Sequence, residues 1–315
     1  MPYQRITNNF INTSVINNLI SNRELLIDLQ RKISSGREIQ NASENVFSAV
    51  TIMRSDTSLG KIATYLKNIQ SAKSEIEAAE GTIQNTLESV HKTRELIVQA
   101  LNATSGIPEM NLIGNELEQI RQQVIEAGNT KFGTTYLFSG LNTTTVPFQN
   151  GTNPGEIQYM GSAAGSEGRE IEIAEGIKIQ INMGGDGVFG YYYTDGGGTL
   201  QESGLIATLT KLCNELNAAN PDKEIIREGL AALDDDLNTL LSSQSTLGGI
   251  LSRLEITGQV HKNNEINIIE TKSGVQDVDM AKTISDLTYQ QTALQASLQV
   301  SASVIQPSLL NYLST

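Results

Sequence analysis

Hydrophobic residues recur every seven positions through the middle of this chain: Ile62, Ile69, Ile76, Ile83, Val90 and Ile97, with Leu66, Leu87 and Leu101 on the companion positions. β-Branched residues on one position and Leu on the other suit knobs-into-holes packing, so the pattern predicts a coiled-coil-like helix. About forty residues rising ~1.5 Å each make a rod of roughly 60 Å. Such a rod suits a structural part better than an enzyme.

A second seam runs through Ile226, Leu230, Leu233, Leu237, Leu240, Leu247, Leu251 and Leu254, with Gln244 as its polar break. Two helices so built bury their stripes by packing together. Weaker stripes lie at the two ends: Val15, Leu19, Leu26, Leu29 and Ile33, then Met280, Ile284, Leu287, Leu294, Leu298 and Ile305. The first helix is expected to stop at Ser34-Ser35-Gly36, where glycine takes the left-handed closing conformation. Asn41 with Glu44 reads as a capping box for the long helix that follows. That helix stops within Asn102 to Pro108, and a third carries Ile113, Leu117, Ile120, Val124 and Ala127, ending at Gly128-Asn129.

From residue 141 to 200 the texture changes. Thirteen of the 27 glycines fall there, and nine of the fifteen aromatics lie between Phe132 and Tyr193, which marks a separate unit. Within it Ile157-Gln158-Tyr159, Ile171-Glu172-Ile173 and Ile177 to Ile181 alternate apolar and polar, the signature of half-buried strands. Gly184 to Gly187 reads as a β-turn. Helical spacing returns at Leu205, Leu209, Leu212 and Leu216, then restarts with Asn220 as cap and Pro221 at the first helical position. Gly248, Gly249 and Gly258 are expected to bend that helix without ending it.

The fold class is therefore mainly α with inserted β: a long coiled-coil-like helical bundle built from both chain ends, plus a small antiparallel β domain. Residues 1–40 and 275–315 form terminal helices that make an assembly coiled coil. Residues 41–140 and 200–274 form the bundle, and 141–199 the insert.

The absence of Trp agrees with aliphatic helix packing, and a formal charge of −13 argues against binding nucleic acid or an anionic membrane surface. Cys213, the single cysteine, sits in an apolar helical pattern and reads as a small buried hydrophobe. His91 and His261 stand apart from each other and from Cys213, so they read as helix-surface residues rather than metal ligands. Asp234-Asp235-Asp236 point about 100° apart on a helix and read as a solvated face. Gly184-Gly185-Asp186-Gly187 lacks the Gly-Lys-Ser/Thr of a phosphate loop. No cofactor, metal or catalytic group is expected. Glu156, Glu167, Glu170 and Asp186 would have to converge at a fixed separation for a glycan hydrolase. Tyr191-Tyr192-Tyr193 either stacks on sugar or supplies the core and edge of the insert, the second being the simpler reading. Lys73, Glu80 and Arg94 replace Leu on companion positions of the long seam, so they lie at a bundle edge or face a charged neighbour.

Leu29 to Asn45, reading LQRKISSGREIQNASEN, resembles the N-terminal signature of flagellin-type axial proteins, and Thr93 to Thr104 resembles their second signature. Thr135-Tyr136-Leu137-Phe138-Ser139-Gly140 with Val146-Pro147-Phe148 is similar to the "YLFxG…PF" segment of the hook-filament junction branch; flagellins resemble "FNG" there. Ile284 to Thr288, Gln291 to Ser297 and Leu309 to Leu313 fit the same branch. The β insert is unmatched. His91-Lys92-Thr93-Arg94-Glu95-Leu96 departs at its first two positions from the immune-receptor motif of some flagellins.

The resemblance implies a structural component of the bacterial flagellum at the hook-filament junction, between hook-associated protein 1 and flagellin. It implies self-association in a junction ring, a flagellar export chaperone, and type III export without a cleaved signal peptide to an extracellular site. The absence of a signal segment or an eighteen-residue apolar run would by itself place the chain in the cytoplasm. The alternative within the family is flagellin itself. The terminal stripes, Val15, Leu19, Leu26, Leu29, Ile33, Ile284, Leu287, Leu294, Leu298 and Ile305, are the expected subunit interface. The first helix, rich in Asn at 8, 9, 12, 17 and 18, is marginal alone. Both ends are thus expected to be loosely ordered in the monomer and to pair only between neighbouring subunits.

Overall fold

The computed structural model describes the backbone of residues 8–102, 106–162 and 168–313, and within these the side chains of residue 10 and of 13–302. Seven helices and eight short strands follow in the order α1 (Asn8–Ser35), α2 (Val46–Leu101), α3 (Ile107–Gly128), β1 (Lys131–Phe132), β2 (Thr135–Tyr136), β3 (Phe148–Asn150), β4 (Ile157–Tyr159), β5 (Glu170–Ala174), β6 (Ile177–Gln180), the single turn α4 (Gly185–Val188), β7 (Tyr191–Thr194), β8 (Leu200–Ser203), α5 (Gly204–Leu216), α6 (Lys223–Gln276) and α7 (Met280–Leu313). The fold class matches the expectation, a mainly helical chain with small antiparallel sheets. Two compact units divide it: residues 1–61 with 263–315, and residues 62–262.

The central unit, 62–262, holds the core. All six heptad residues from Ile62 to Ile97 are buried, as are Ile226, Leu233, Leu240, Leu247 and Leu254 of α6. Lys73 Nζ lies 2.5 Å from Glu255 and Arg94 Nε 2.9 Å from Asp234, so α2 and α6 run antiparallel with both pairs three heptads apart. Lys73 and Arg94 thus lie at an exposed edge of the α2–α6 pair, each against an acidic residue of the same chain. α3 packs on α5, where Gly114 lies against the Asn217 side chain.

The β region forms one four-stranded sheet, β3-β4-β7-β8, beside two hairpins, β1-β2 and β5-β6, with β1, β2 and β8 lying outside the expected bounds of 141–199. Its core is aromatic: Phe189 meets Phe138 and Phe148 edge-on at 4.9 and 5.9 Å, and Phe148 meets Tyr159 at 5.3 Å. A Cβ at Gly128 or Gly185 would stand within 2.9 Å of the Phe148 ring, so this ring seals the junction of α3, β3 and α4 only because both neighbours lack a side chain. The Tyr136 to Gly140 run is wholly buried there with Phe148.

Several local expectations are corrected. α2 is capped by Asn45, whose Oδ1 accepts the Ser48 N–H at 3.2 Å, while Glu44 reaches back to Gln40 and Asn41. α6 starts at Lys223 with Asp222 as its cap, whose Oδ1 accepts Glu224 N–H at 2.8 Å, so cap and first helical residue each fall two positions later than the expected Asn220 and Pro221. Gly184 to Gly187 is no β-turn, since Gly185 opens a single helical turn. His261 is buried rather than on the surface: its Nε2 donates to the Ile173 carbonyl at 2.7 Å and its ring stacks on Tyr65 at 5.4 Å, tying β5 to α6 and α2. Asp236 turns inward beside Thr208, and burial raises its pKa above the ordinary carboxylate range.

Candidate assembly surface

The unit formed by residues 1–61 and 263–315 is nearly without a core of its own. Its buried residues are Val278 and the polar Ser55, Gln276, Thr283, Gln290 and Ser301, among those described. The signature turn after α1 explains how it is closed. Gly36 adopts φ +69° and donates to Lys32 O at 2.9 Å, while Ser35 Oγ accepts from Arg37 N and from the Gln40 amide. Glu38 N then donates to Gln276 O and Val278 N to Gly36 O, joining the end of α1 to the break between α6 and α7. Lys32 bonds Glu38 at 2.6 Å, and that bond raises the lysine pKa. Asp279 caps α7 through Lys282 N at 3.1 Å.

From this closure α1 and α7 pack side by side within one chain. Val15, Leu19, Leu26, Leu29 and Ile33 are half-buried, as expected of a stripe covered by one neighbour. The stripe also includes Asn22, which completes an uninterrupted four-three heptad spacing from Val15 to Ile33. Asn22 Nδ2 donates to Ser297 Oγ at 3.2 Å, and Gln290 Nε2 donates to Asn22 Oδ1 at 3.1 Å and to its carbonyl at 3.2 Å. Such a polar group in a seam fixes register at some cost in stability.

The α7 side differs from the expectation. Its inward positions are Thr283, Leu287, Gln290, Leu294, Ser297 and Ser301, again at four-three spacing and mostly polar. The apolar stripe lies about 50° further round the helix. Leu287 and Leu294 belong to both, so they are half-buried, whereas Met280, Ile284 and Leu298 are left 41%, 49% and 53% exposed. The side chain of Ile305 lies outside the described residues. On α1 a second stripe, Ile16, Ile20 and Ile27, about 120° from the first, is also exposed. Val46, Phe47, Val50 and Met53 at the start of α2 add to this apolar surface. Pairing within one chain corrects the expectation that the two ends meet only between subunits.

The chemistry weighed for the other residues is not assembled. Glu156 is buried with its carboxylate accepting from Asn153 and Thr194, and these bonds hold its pKa at about 2, so it is no proton donor at neutral pH. Glu170 pairs with Lys178 at 3.3 Å; Glu167 lies outside the described residues. Burial pushes the Cys213 thiol up to about 12, leaving it inert. No group of three metal-ligating side chains occurs among the described residues, and no helix there is long and apolar enough to cross a membrane.

Known proteins are similar to this chain over regions that include both terminal helices. The bacterial flagellin N-terminal helical region matches residues 6–143, and the flagellin C-terminal helical region matches 230–313. The chain belongs to the flagellin-like family of bacterial flagellar proteins. It is 25% identical to flagellar hook-associated protein 3 of Escherichia coli over 84% of this chain and 86% of that one. It is 26% identical to flagellin of Bacillus subtilis over 93% of each. A hook-associated protein structure from Vibrio parahaemolyticus shares the fold, with a TM-score of 0.64 and 20% identity over 74% of this chain and all of that one. The protein is a structural component of the flagellum, and the signature at Ser34 to Arg37 is the turn that joins its two terminal helices.

Proposed function

We propose that this protein forms the hook-filament junction, exported through the flagellar type III apparatus and set between hook-associated protein 1 and flagellin. The observation that carries the reading is the unit 1–61 with 263–315, which closes on itself through polar contacts while leaving apolar stripes on α1 and α7 in water. An exposed apolar surface of this extent marks an interaction site. In this reading residues 1–40 and 275–315 are the assembly coiled coil, with 41–140 and 200–274 as the bundle and 141–199 as the insert. Val15, Leu19, Leu26, Leu29, Ile33, Leu287 and Leu294 build the platform, and Ile284 and Leu298 touch neighbouring copies and flagellar partners. An export chaperone covers the same stripes before secretion. The buried Tyr136 to Gly140 run with Phe148 supports the junction branch, as do relatives named hook-associated protein 3 and a structure named as a flagellar junction protein.

A flagellin reading is favoured by the match to the Bacillus subtilis protein across 93% of both chains. Deleting the gene in its source bacterium separates the two. Bare hooks with flagellin monomer released into the medium are the expected result; bare hooks with no flagellin released would identify the chain as the flagellin.

A further inference from the structure

The sheet β3-β4-β7-β8 has one face toward the core and α5, carrying Phe148, Ile157, Tyr159 and Tyr192. Strand alternation places Gln149, Gln158, Tyr191, Tyr193, Gln201 and Ser203 on the other. The register agrees, because Gln149 lies opposite Gln158, Tyr191 opposite Ser203 and Tyr193 opposite Gln201. Tyr191 and Tyr193 are half-buried with ring centroids 5.8 Å apart and planes tilted by 57°. The Tyr run is thus divided: its middle residue serves the core and its outer two do not.

We propose that this face binds an uncharged glycan, an activity independent of the assembly role. The polarised C–H groups on the flat side of a sugar ring are attracted to the negative face of an aromatic ring. Amide and hydroxyl groups around the rings then fix orientation by bonding sugar hydroxyls. Two adjacent tyrosines bordered by three glutamines and a serine supply both. Asp195 Oδ2 accepts from Gln201 Nε2 at 3.2 Å, which fixes that amide with its carbonyl oxygen available. The face also lacks what a charged partner requires. In a chain of net charge −13 its six side chains are all neutral, and the bordering carboxylates of Glu156 and Asp195 are turned to protein donors. Glu202, on the opposite face, pairs with Lys211 at 2.5 Å.

The test uses the full chain with cellopentaose, laminaripentaose, mannopentaose and N-acetylchitopentaose as probes, read by calorimetry and by tyrosine fluorescence, which no Trp obscures. Saturable binding of at least one probe is expected. The double variant Tyr191→Ala with Tyr193→Ala should weaken it by about tenfold or more, while Tyr→Phe at both positions, which keeps the rings, retains it within about threefold. Circular dichroism melts confirm that the variants fold, and the Phe variant decides the matter if the Ala variant does not. No saturable binding of any probe, affinity unmoved by loss of the rings, or self-association through this face in sedimentation would overturn the proposal.

Discussion

Asn22 shows how one polar side chain sets the geometry of the terminal helices. It occupies a seam position where Leu would be more stabilising, yet it pairs with both Gln290 and Ser297. Replacing it with Ala leaves Gln290 Nε2 without that side-chain acceptor, and a net hydrogen bond contributes about 1 kcal/mol. Asn22→Ala is therefore expected to speed amide exchange along α7 while leaving exchange in the 62–262 unit unchanged. Glu156 acts at the same scale through pH. Its folded pKa of about 2 lies below the ordinary carboxylate value, so the stability it contributes is present above about pH 4.3 and lost as pH falls toward 2. Glu156→Gln should flatten that dependence in melts of the sheet followed by tyrosine dichroism. The sequence hid both residues: Asn22 breaks the apolar pattern used to trace the seam, and the partners of Glu156, Asn153 and Thr194, come from different strands and turns.

At the scale of elements, the long helices were legible because period and burial coincide. Every heptad residue from Ile62 to Ile97 is inside. β4, β5 and β6 were legible by alternation, whereas β1 and β2 are two residues long and β3 (Phe-Gln-Asn), β7 (Tyr-Tyr-Tyr-Thr) and β8 (Leu-Gln-Glu-Ser) do not alternate apolar with polar residues. α7 was misread by about 50° because its covered face holds Thr283, Gln290, Ser297 and Ser301, and hydrophobicity points to the face that remains uncovered. Buried His261 and Asp236 were missed for a related reason, since their partners Ile173, Tyr65 and Thr208 are remote in sequence. Glycines give the sharpest contrast between elements. Gly81 lies exposed inside α2 with nothing near its would-be Cβ, so Gly81→Ala should stabilise the fold by about 1 kcal/mol in denaturant titrations. Gly190 has φ +76° and its Cβ would stand 1.8 Å from the Ser203 carbonyl; Gly190→Ala should cost well over about 1 kcal/mol and loosen the β7-β8 hairpin.

For the whole molecule, the decisive contrast is between a unit with a core and a unit with an uncovered surface. Residues 62–262 contain every buried hydrophobic residue described except Val278. Burying a Leu or Ile side chain contributes roughly 1.5–3 kcal/mol, and the terminal helices realise only part of that in the monomer. Limited proteolysis of the free chain should therefore cut within 1–61 and 263–315 before it cuts the central unit. Equal resistance throughout would show that the terminal pair needs no partner. In the proposed reading, assembly supplies the missing burial and couples joining a neighbour to ordering the ends.

Leu298→Asp tests that coupling most directly, because Leu298 is 53% exposed and lies outside the α1–α7 seam. The measurement is incorporation of the variant into flagella of a strain lacking the native gene, with amide exchange of the monomer as a check on the helix pair. An unchanged monomer that fails to incorporate, with bare hooks on the cells, is the expected result. Normal filaments from cells producing only this variant would contradict it.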